Sequence, residues 1–152
     1  MAKEYKNPAL TTDIILFSIM AEDLNILLIK RKNEPFQDKW AIPGGFVDYD
    51  EEIEDAAKRE LEEETNIKDI PLEQLGTFGR VGRDPRGRTV SVVYYANIDD
   101  ASKLNIKAQD DAKEVQWFSV KKLPDLAFDH AEIIDFAIKK SKKSFDNTQN
   151  NQ

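Results

Sequence analysis

Apolar and β-branched residues gather in short runs along the first third of the chain. The runs at 10–20 and 25–31 are separated only by the mostly polar residues 21–24, an arrangement typical of two strands joined as a hairpin. A shorter run at 40–47 is interrupted by Pro43, Gly44 and Gly45. This interruption predicts a sharp turn or a close approach of the backbone.

The rest of the chain alternates between helical and strand patterns. A helix is predicted after Asp48 and Asp50, either of which is a candidate for its N-cap. Further strands are predicted at 72–80, 89–98 and 114–120, and a last helix at 129–143. The order of strands, helix, strands and helix indicates a mixed α+β domain. We expect one domain over residues 1–140, followed by a polar, disordered tail at 141–152.

Acidic charge is concentrated in one part of the chain. The net charge is −7, and residues 51–64 hold eight acidic against two basic side chains. The remainder is almost neutral, so it offers no basic stripe of the kind that nucleic-acid-binding surfaces need. The acidic segment instead suits a site that holds divalent cations.

The composition also points to a cytoplasmic protein that does not bind membranes. No apolar run approaches the roughly 20 residues that cross a bilayer, and the N-terminus lacks the apolar centre of a signal peptide. Cysteine is absent, which excludes disulfides, thiolate metal sites and a cysteine nucleophile.

The acidic helix has an unusual face. Ile53, Ala56, Ala57 and Leu61 occupy a stripe at helical spacing, but Glu60 and Glu64 continue the same stripe. Such a segment is either a solvated, highly charged helix or a set of inward carboxylates that Mg²⁺ or Mn²⁺ neutralises.

The spacing of residues in this segment resembles a known motif. The motif runs Gly, five residues, Glu, seven residues, then Arg-Glu-aliphatic-any-Glu-Glu-any-Gly-aliphatic. The matching residues are Gly45, Glu51, Arg59, Glu60, Leu61, Glu63, Glu64 and Ile67. The departure is Asn66 in place of Gly, and Asn is the next-best residue for a left-handed helix end. The segment therefore resembles the Nudix box of the Nudix hydrolases.

The resemblance implies an α/β/α sandwich around a mixed β-sheet and the hydrolysis of a diphosphate that joins a nucleoside to another group. It implies that Glu60 and Glu64 are the main metal ligands, with Glu63 assisting and the backbone at Gly45 contributing a carbonyl. Arg59 is expected to orient the glutamates. Glu51 is expected only to support the site, through a water molecule, because its helical angle differs from that of Glu60.

A general base is expected far along the chain, as in many members of this family. Residues 107–117 hold Asp110, Asp111 and Glu114 just before a strand, and we favour Asp111. The alternative is that these acids cap a turn or the start of the strand.

Four arginines in residues 79–88 are the clearest clue to the substrate. Arginine suits planar, bidentate contacts with phosphate, although a solvated loop is the alternative. This segment, together with residues 40–48 and 123–137, resembles the ADP-ribose pyrophosphatase branch of the family, and equally the Nudix-derived regulators that sense ADP-ribose. By this resemblance the substrate is ADP-ribose, with Arg83 and Arg86 contacting its phosphates or ribose.

Several further residues have both a functional and a structural interpretation. Phe36 and Trp40 are candidates for stacking on adenine or for the core, and the core is favoured for Trp40. Arg31 either reaches the substrate or is a charge at a strand end. His130, the single histidine, begins a predicted helix, and we expect it to be structural.

Three functions remain open on the sequence. The first is an ADP-ribose pyrophosphatase, and the second is a Nudix enzyme acting on modified nucleoside triphosphates or dinucleoside polyphosphates. The third is a ligand-binding regulator, which is disfavoured because only a short, weakly basic segment follows the last helix. The implied partners are a small nucleotide and no nucleic acid, and the resemblance also implies a homodimer.

Overall fold

Seven strands form one mixed β-sheet. The computed structural model describes the backbone of residues 4–150 and the side chains of residues 4–141. The strands are β1 (Ala9–Met20), β2 (Asp23–Arg31), β3 (Trp40–Ala41), β4 (Gly44–Phe46), β5 (Glu73–Phe78), β6 (Thr89–Ile98) and β7 (Ala112–Ser119). Along the main path their order is β3-β2-β1-β6-β5, while β4 pairs with β1 and β7 with β2. The pairing of β1 with β6 is parallel and the others are antiparallel.

Two helices cover opposite faces of the sheet. Helix α1 spans Ile53–Thr65 and helix α2 spans His130–Asn150. Alternate residues of β1 point to the two sides: Ile14 and Leu16 pack with Leu61 of α1, and Ile15 and Phe17 belong to the cluster that contains the apolar residues of α2. A strand buried on both faces must be apolar at successive positions, which explains the continuous run in this segment. The predicted α/β/α sandwich is confirmed.

The predicted hairpin of the first two strands is also confirmed, with Phe17 opposite Ile26. The predicted run at 40–47 contains two short strands, β3 and β4, on either side of the turn at Pro43. Strand β3 pairs with β2 and strand β4 pairs with β1.

Helix α1 begins differently from the prediction. Its N-cap residue is Glu52, and no side chain caps it. Asp48 and Asp50 lie four and two positions ahead of that residue, too far along the chain for the standard N-cap bond. The predicted left-handed end is confirmed, since Asn66 has φ 65° and its N–H donates to the Glu62 carbonyl.

Helix α2 is longer than predicted. The backbone is helical to Asn150, through most of the segment 141–152 that we expected to be a disordered tail. Residues 141–150 contain no glycine or proline, so no strong local signal ends the helix there. The last two residues of the tail lie outside the described residues. Within the part of the chain that the structure describes, no helix is long and apolar enough to cross a membrane.

Candidate active site

A pocket of about 410 Å³ opens between β1, β4, α1 and the segment 79–88. It brings together eight of the eleven predicted site residues: Arg31, Gly45, Arg59, Glu60, Glu64, Arg83, Arg86 and Asp111. Glu63, Phe36 and Trp40 are not in its lining. Carboxylates of α1 and several guanidinium groups both line this pocket.

Glu64 is the most deeply buried carboxylate of α1. It is 3% exposed, and its Oε1 accepts a hydrogen bond of 2.9 Å from the Gly44 N–H. Burial raises the pKa of Glu64 well above its usual range, and the charges of Glu60, Asp13 and Asp111 act in the same direction. The charge of Arg31 attracts that of Glu64, but burial and the three acidic neighbours dominate, so the position favours a proton or a metal ion.

Gly45 of β4 allows α1 to approach the sheet. A Cβ atom at Gly45 would lie 2.5 Å from the Glu60 carboxyl carbon, which is closer than real Cβ contacts. Glu60 therefore lies directly over the Gly45 backbone. Burial raises the pKa of Glu60, although Arg59 opposes this shift.

Arg59 links the acidic residues of the motif. Its Nε and Nη2 donate to the two carboxylate oxygens of Glu51 at 2.7 and 2.9 Å, and its Nη1 donates to Glu60 at 2.8 Å and Glu63 at 3.2 Å. Hydrogen bonds from Arg59, and from the Asp48 backbone, lower the pKa of Glu51 to about 2. The predicted contact of Arg59 with the glutamates is thus present.

Glu51 precedes the first residue of α1, Ile53, so helical periodicity does not determine the direction of its side chain. Glu51 contacts Arg59 directly. Its support of the metal site through a water molecule stays a prediction.

The acidic residues have the right chemistry for a hard divalent cation, because carboxylate and carbonyl oxygens are its preferred ligands. Glu60 and Glu64 supply such oxygens beside the Gly45 backbone. Among the described residues, however, no three acidic or histidine side chains form a ready coordination group. Arg59 pairs with Glu60 and Glu63, and Glu63 does not line the pocket. The predicted ligand set therefore remains a prediction.

Two arginines of the pocket lie against one aromatic ring. The Arg31 and Arg86 guanidinium carbons lie 4.9 and 5.3 Å from the centroid of Phe128, and Arg86 also lies 4.9 Å from that of Phe46. These are cation–π distances. Burial and, next, the charge of Arg86 lower the pKa of Arg31, so the two cations repel each other. An anionic ligand would relieve that repulsion.

Arg83 lies at the pocket but points its guanidinium elsewhere. It forms a bidentate pair with Asp129, with distances of 2.9 and 2.8 Å, and both side chains are almost fully buried. The predicted contact of Arg83 with substrate is therefore not what this arrangement favours. The cause is the buried carboxylate of Asp129, which binds the Arg83 guanidinium. Because the two residues lie 46 positions apart, no local sequence pattern could predict their pairing.

The remaining candidates divide between the pocket and the core. Asp111 lines the pocket and accepts a bond of 3.3 Å from Asn33. Trp40 packs edge-on against Phe118 in the layer on the α2 side, and Phe36 packs against Phe128 at 4.8 Å. Neither ring reaches the pocket lining, so the stacking predicted for them is not supported.

His130 is buried, and its Nδ1 accepts from the Ile42 N–H, as a structural role requires.

The sequence analysis missed Asp13, Phe128 and Asp129. Asp13 lies inside an apolar strand, where it accepts a hydrogen bond from Ser91 and lines the pocket. A single acid in a buried β-strand is a signal that could have found it. Phe128 and Asp129 lie just before α2, inside the segment 123–137 that contributes to the resemblance, but the sequence analysis assigned neither residue a role of its own.

Comparison with known proteins decides the family. The model of the NUDIX domain matches residues 9–136, most of the chain. The chain belongs to the Nudix family. This confirms the resemblance predicted from the spacing of Gly45, Arg59 and the glutamates.

Individual Nudix relatives are similar over most of this chain. An ADP-ribose pyrophosphatase of Methanocaldococcus jannaschii is 45% identical over 130 residues, which cover 86% of this chain and 73% of the relative. The ADPR responsive transcriptional repressor NtrR of Acinetobacter baylyi is 40% identical over 137 residues, covering 88% of this chain and 54% of the repressor. The NUDIX domain of Shewanella oneidensis NrtR, solved with ADP ribose, superposes with a TM-score of 0.82 at 35% identity and covers 90% of each chain.

Proposed function

We propose that the protein is a Nudix pyrophosphohydrolase that cleaves ADP-ribose to AMP and ribose 5-phosphate. The observation that carries this proposal is the pocket itself, a space of about 410 Å³ that is lined both by the Nudix carboxylates and by Arg31 and Arg86. A diphosphate is the ligand whose charge suits the arginines and whose hydrolysis the Nudix box serves. The similarity to an ADP-ribose pyrophosphatase and to an ADP-ribose-bound Nudix domain supports the choice of substrate.

Nudix hydrolases depend on divalent metal ions, and we propose Mg²⁺ or Mn²⁺ for this protein. Glu60, Glu64 and Glu63 would hold the ion together with the Gly45 carbonyl. When bound, the ion neutralises the diphosphate and lowers the pKa of a coordinated water. Arg59 would then fix the orientation of the glutamates that it already contacts.

The protein's own residues account for binding and proton transfer in this proposal. Arg31 and Arg86 hold the diphosphate by charge-assisted hydrogen bonds. Asp111 accepts a proton from the attacking water. The water oxygen forms a bond to phosphorus, and the bond from phosphorus to the bridging oxygen breaks, so that each product leaves with one phosphate.

A product assay tests the proposal most directly. ADP-ribose would be offered with Mg²⁺ beside a panel of nucleoside triphosphates and dinucleoside polyphosphates, each at the same concentration. Preferential release of AMP and ribose 5-phosphate is the expected result. Preferential cleavage of a triphosphate or a dinucleoside polyphosphate would contradict the proposed substrate and retain the enzyme class. Tight binding of ADP-ribose without turnover would contradict the enzyme and favour a ligand sensor, as the similarity to a repressor suggests.

Three further proposals concern the molecule as a whole. We propose that residues 1–140 act as one domain, that the protein is cytoplasmic, and that it forms a homodimer. A light-scattering mass near the 17.4 kDa of one chain would contradict the dimer.

A further inference from the structure

The segment between β5 and β6 is attached to the start of α2 by a buried ion pair. Arg83 donates to both oxygens of Asp129, and its Nη1 also donates to Thr89 Oγ1 at 3.3 Å. The two side chains are 5% and 6% exposed. Such a pair is weak evidence for stability, because desolvation offsets much of its attraction. It does fix one point of the segment in space.

Asp84, the residue after Arg83, pairs with a second arginine, Arg86. Asp84, also buried, accepts hydrogen bonds from the Arg86 backbone N–H at 2.9 Å and from Arg86 Nε and Nη2 at 3.1 and 2.8 Å. Burial alone would raise the pKa of Asp84, but these bonds and the Arg86 charge lower it overall. Asp84 therefore orients Arg86. Asp84 in turn follows Arg83, which is bound to Asp129.

The ring beneath Arg86 belongs to the residue that precedes Asp129. Phe128 has φ 51°, in the left-handed region that a bulky residue rarely adopts. Its ring lies under Arg86 and Arg31. The contacts thus form a closed circuit that runs from Asp129 through Arg83, Asp84 and Arg86 to Phe128 and back to Asp129.

We propose that Arg83 and Asp129 are positioning residues that hold Arg86 over Phe128, ready to bind the substrate diphosphate. Arg83 does not itself contact substrate. This inference rests on the proposed function for the identity of the ligand, and on the circuit of contacts for the dependence of Arg86 on the buried pair.

A double-mutant cycle on substrate binding tests this dependence. Asp129→Asn and Arg86→Ala are each expected to raise KM for ADP-ribose by about tenfold, with kcat within about twofold. The KM of the double variant should not exceed the larger of the two single-variant KM values, because both changes remove the same contact. Multiplicative effects of the two changes would overturn the proposal, as would an unchanged KM in Asp129→Asn.

The chain offers a matched control. Arg80 and Glu132 form a second ion pair between the same segment and the same helix, at 3.1 Å, but both side chains are more than 60% exposed. Glu132→Gln removes that pair and should leave KM unchanged. If Asp129→Asn does not fold, Arg83→Lys retains the charge, loses the bidentate geometry, and should raise KM in the same direction.

A second readout does not depend on the substrate. Trypsin cleavage after Arg86 should be about tenfold faster in Asp129→Asn and Arg83→Lys than in the wild type, because the segment opens more often. In Glu132→Gln the rate should match the wild type. Equal protection in all four proteins would overturn the proposal. If the wild type does not cleave ADP-ribose, the proposed function fails, and this proteolysis still decides whether the pair positions Arg86.

Discussion

Glu64 shows how one buried carboxylate prepares the pocket for a cation. It has one hydrogen bond, from the Gly44 N–H, and three acidic neighbours. Its folded pKa is raised above the unfolded value of about 4.3. Its contribution to stability is therefore fully present below the unfolded pKa and is lost as the pH rises through the folded pKa. At neutral pH the metal-free protein is therefore less stable than it would be with an uncharged side chain at this position.

Replacing Glu64 by glutamine should stabilise the metal-free protein and abolish most turnover. The amide keeps an oxygen for the Gly44 N–H but carries no charge. At pH 8 in EDTA we expect the melting temperature to rise by about 2–4 °C, which corresponds to about 1 kcal/mol for a chain of this size. Differential scanning fluorimetry would measure it. Glu62→Gln, an exposed change on the same helix, is the control, and a lower melting temperature for Glu64→Gln would contradict the argument.

Replacing Asp111 by asparagine tests the proposed base. The variant should lose about 10²–10⁴ in kcat with little change in KM, because it cannot accept a proton. Steady-state kinetics of Asp111→Asn beside Asp110→Asn would separate the two acids, since Asp110 does not line the pocket. Near-normal turnover of Asp111→Asn would exclude Asp111 as the base.

At the scale of elements, the sequence predicted α1 better than the segment 79–88. Helical periodicity placed Glu60 and Glu64 on the inward face correctly, because every side-chain direction in a helix follows from its position. The arginines of 79–88 lie in an irregular segment, where direction depends on partners distant in sequence. Asp129 therefore decides that Arg83 is buried while Arg86 reaches the pocket. Phe128, whose ring lies against Arg86, was missed for the same reason.

The end of α1 gives a prediction about backbone conformation. Asn66 is left-handed, and its Nδ2 donates to the Asn105 carbonyl at 2.8 Å. Asn66→Ala should lower the free energy of unfolding by about 1–2 kcal/mol, because alanine bears the full cost of a left-handed residue with a Cβ and, unlike asparagine, has no polar side chain to offset it. Asn66→Gly removes that cost but loses the side-chain bond, so it should stay within about 1 kcal/mol of the wild type. Urea denaturation would measure both, and equal losses would show that the side-chain bond matters more than the backbone.

At the scale of the whole molecule, apolar runs predicted the strands. The order of the strands in the sheet could not be predicted from the apolar runs. The parallel pairing of β1 with β6 joins segments 80 residues apart, and no local pattern specifies it. Only the family resemblance supplied the sandwich in advance.

Stability should depend on pH through the buried His130 as well. Burial lowers its pKa, although Asp13 and Asp129 oppose the shift, and its Nδ1 must stay unprotonated to accept from Ile42. Because the unfolded pKa is about 6.5, its contribution is present above that pH and is lost as the pH falls through the folded pKa. Glu64 has the opposite trend.

The comparison of wild type with His130→Asn isolates this contribution. Between pH 7.5 and pH 5 the wild type should lose more unfolding free energy than the variant, as urea titrations at several pH values would show. Parallel pH profiles for the two proteins would contradict the assignment.

The central pairing of β1 with β6 also has a consequence for synthesis. The N-terminal strand is made first, but its parallel partner ends only at Ile98. Closing so long a loop costs chain entropy before any contact compensates for it. We expect nascent chains that stop before residue 89 to expose the apolar faces of β1 and to need a chaperone on the ribosome. Pulse proteolysis of stalled chains of increasing length would show protection beginning only once β6 has emerged.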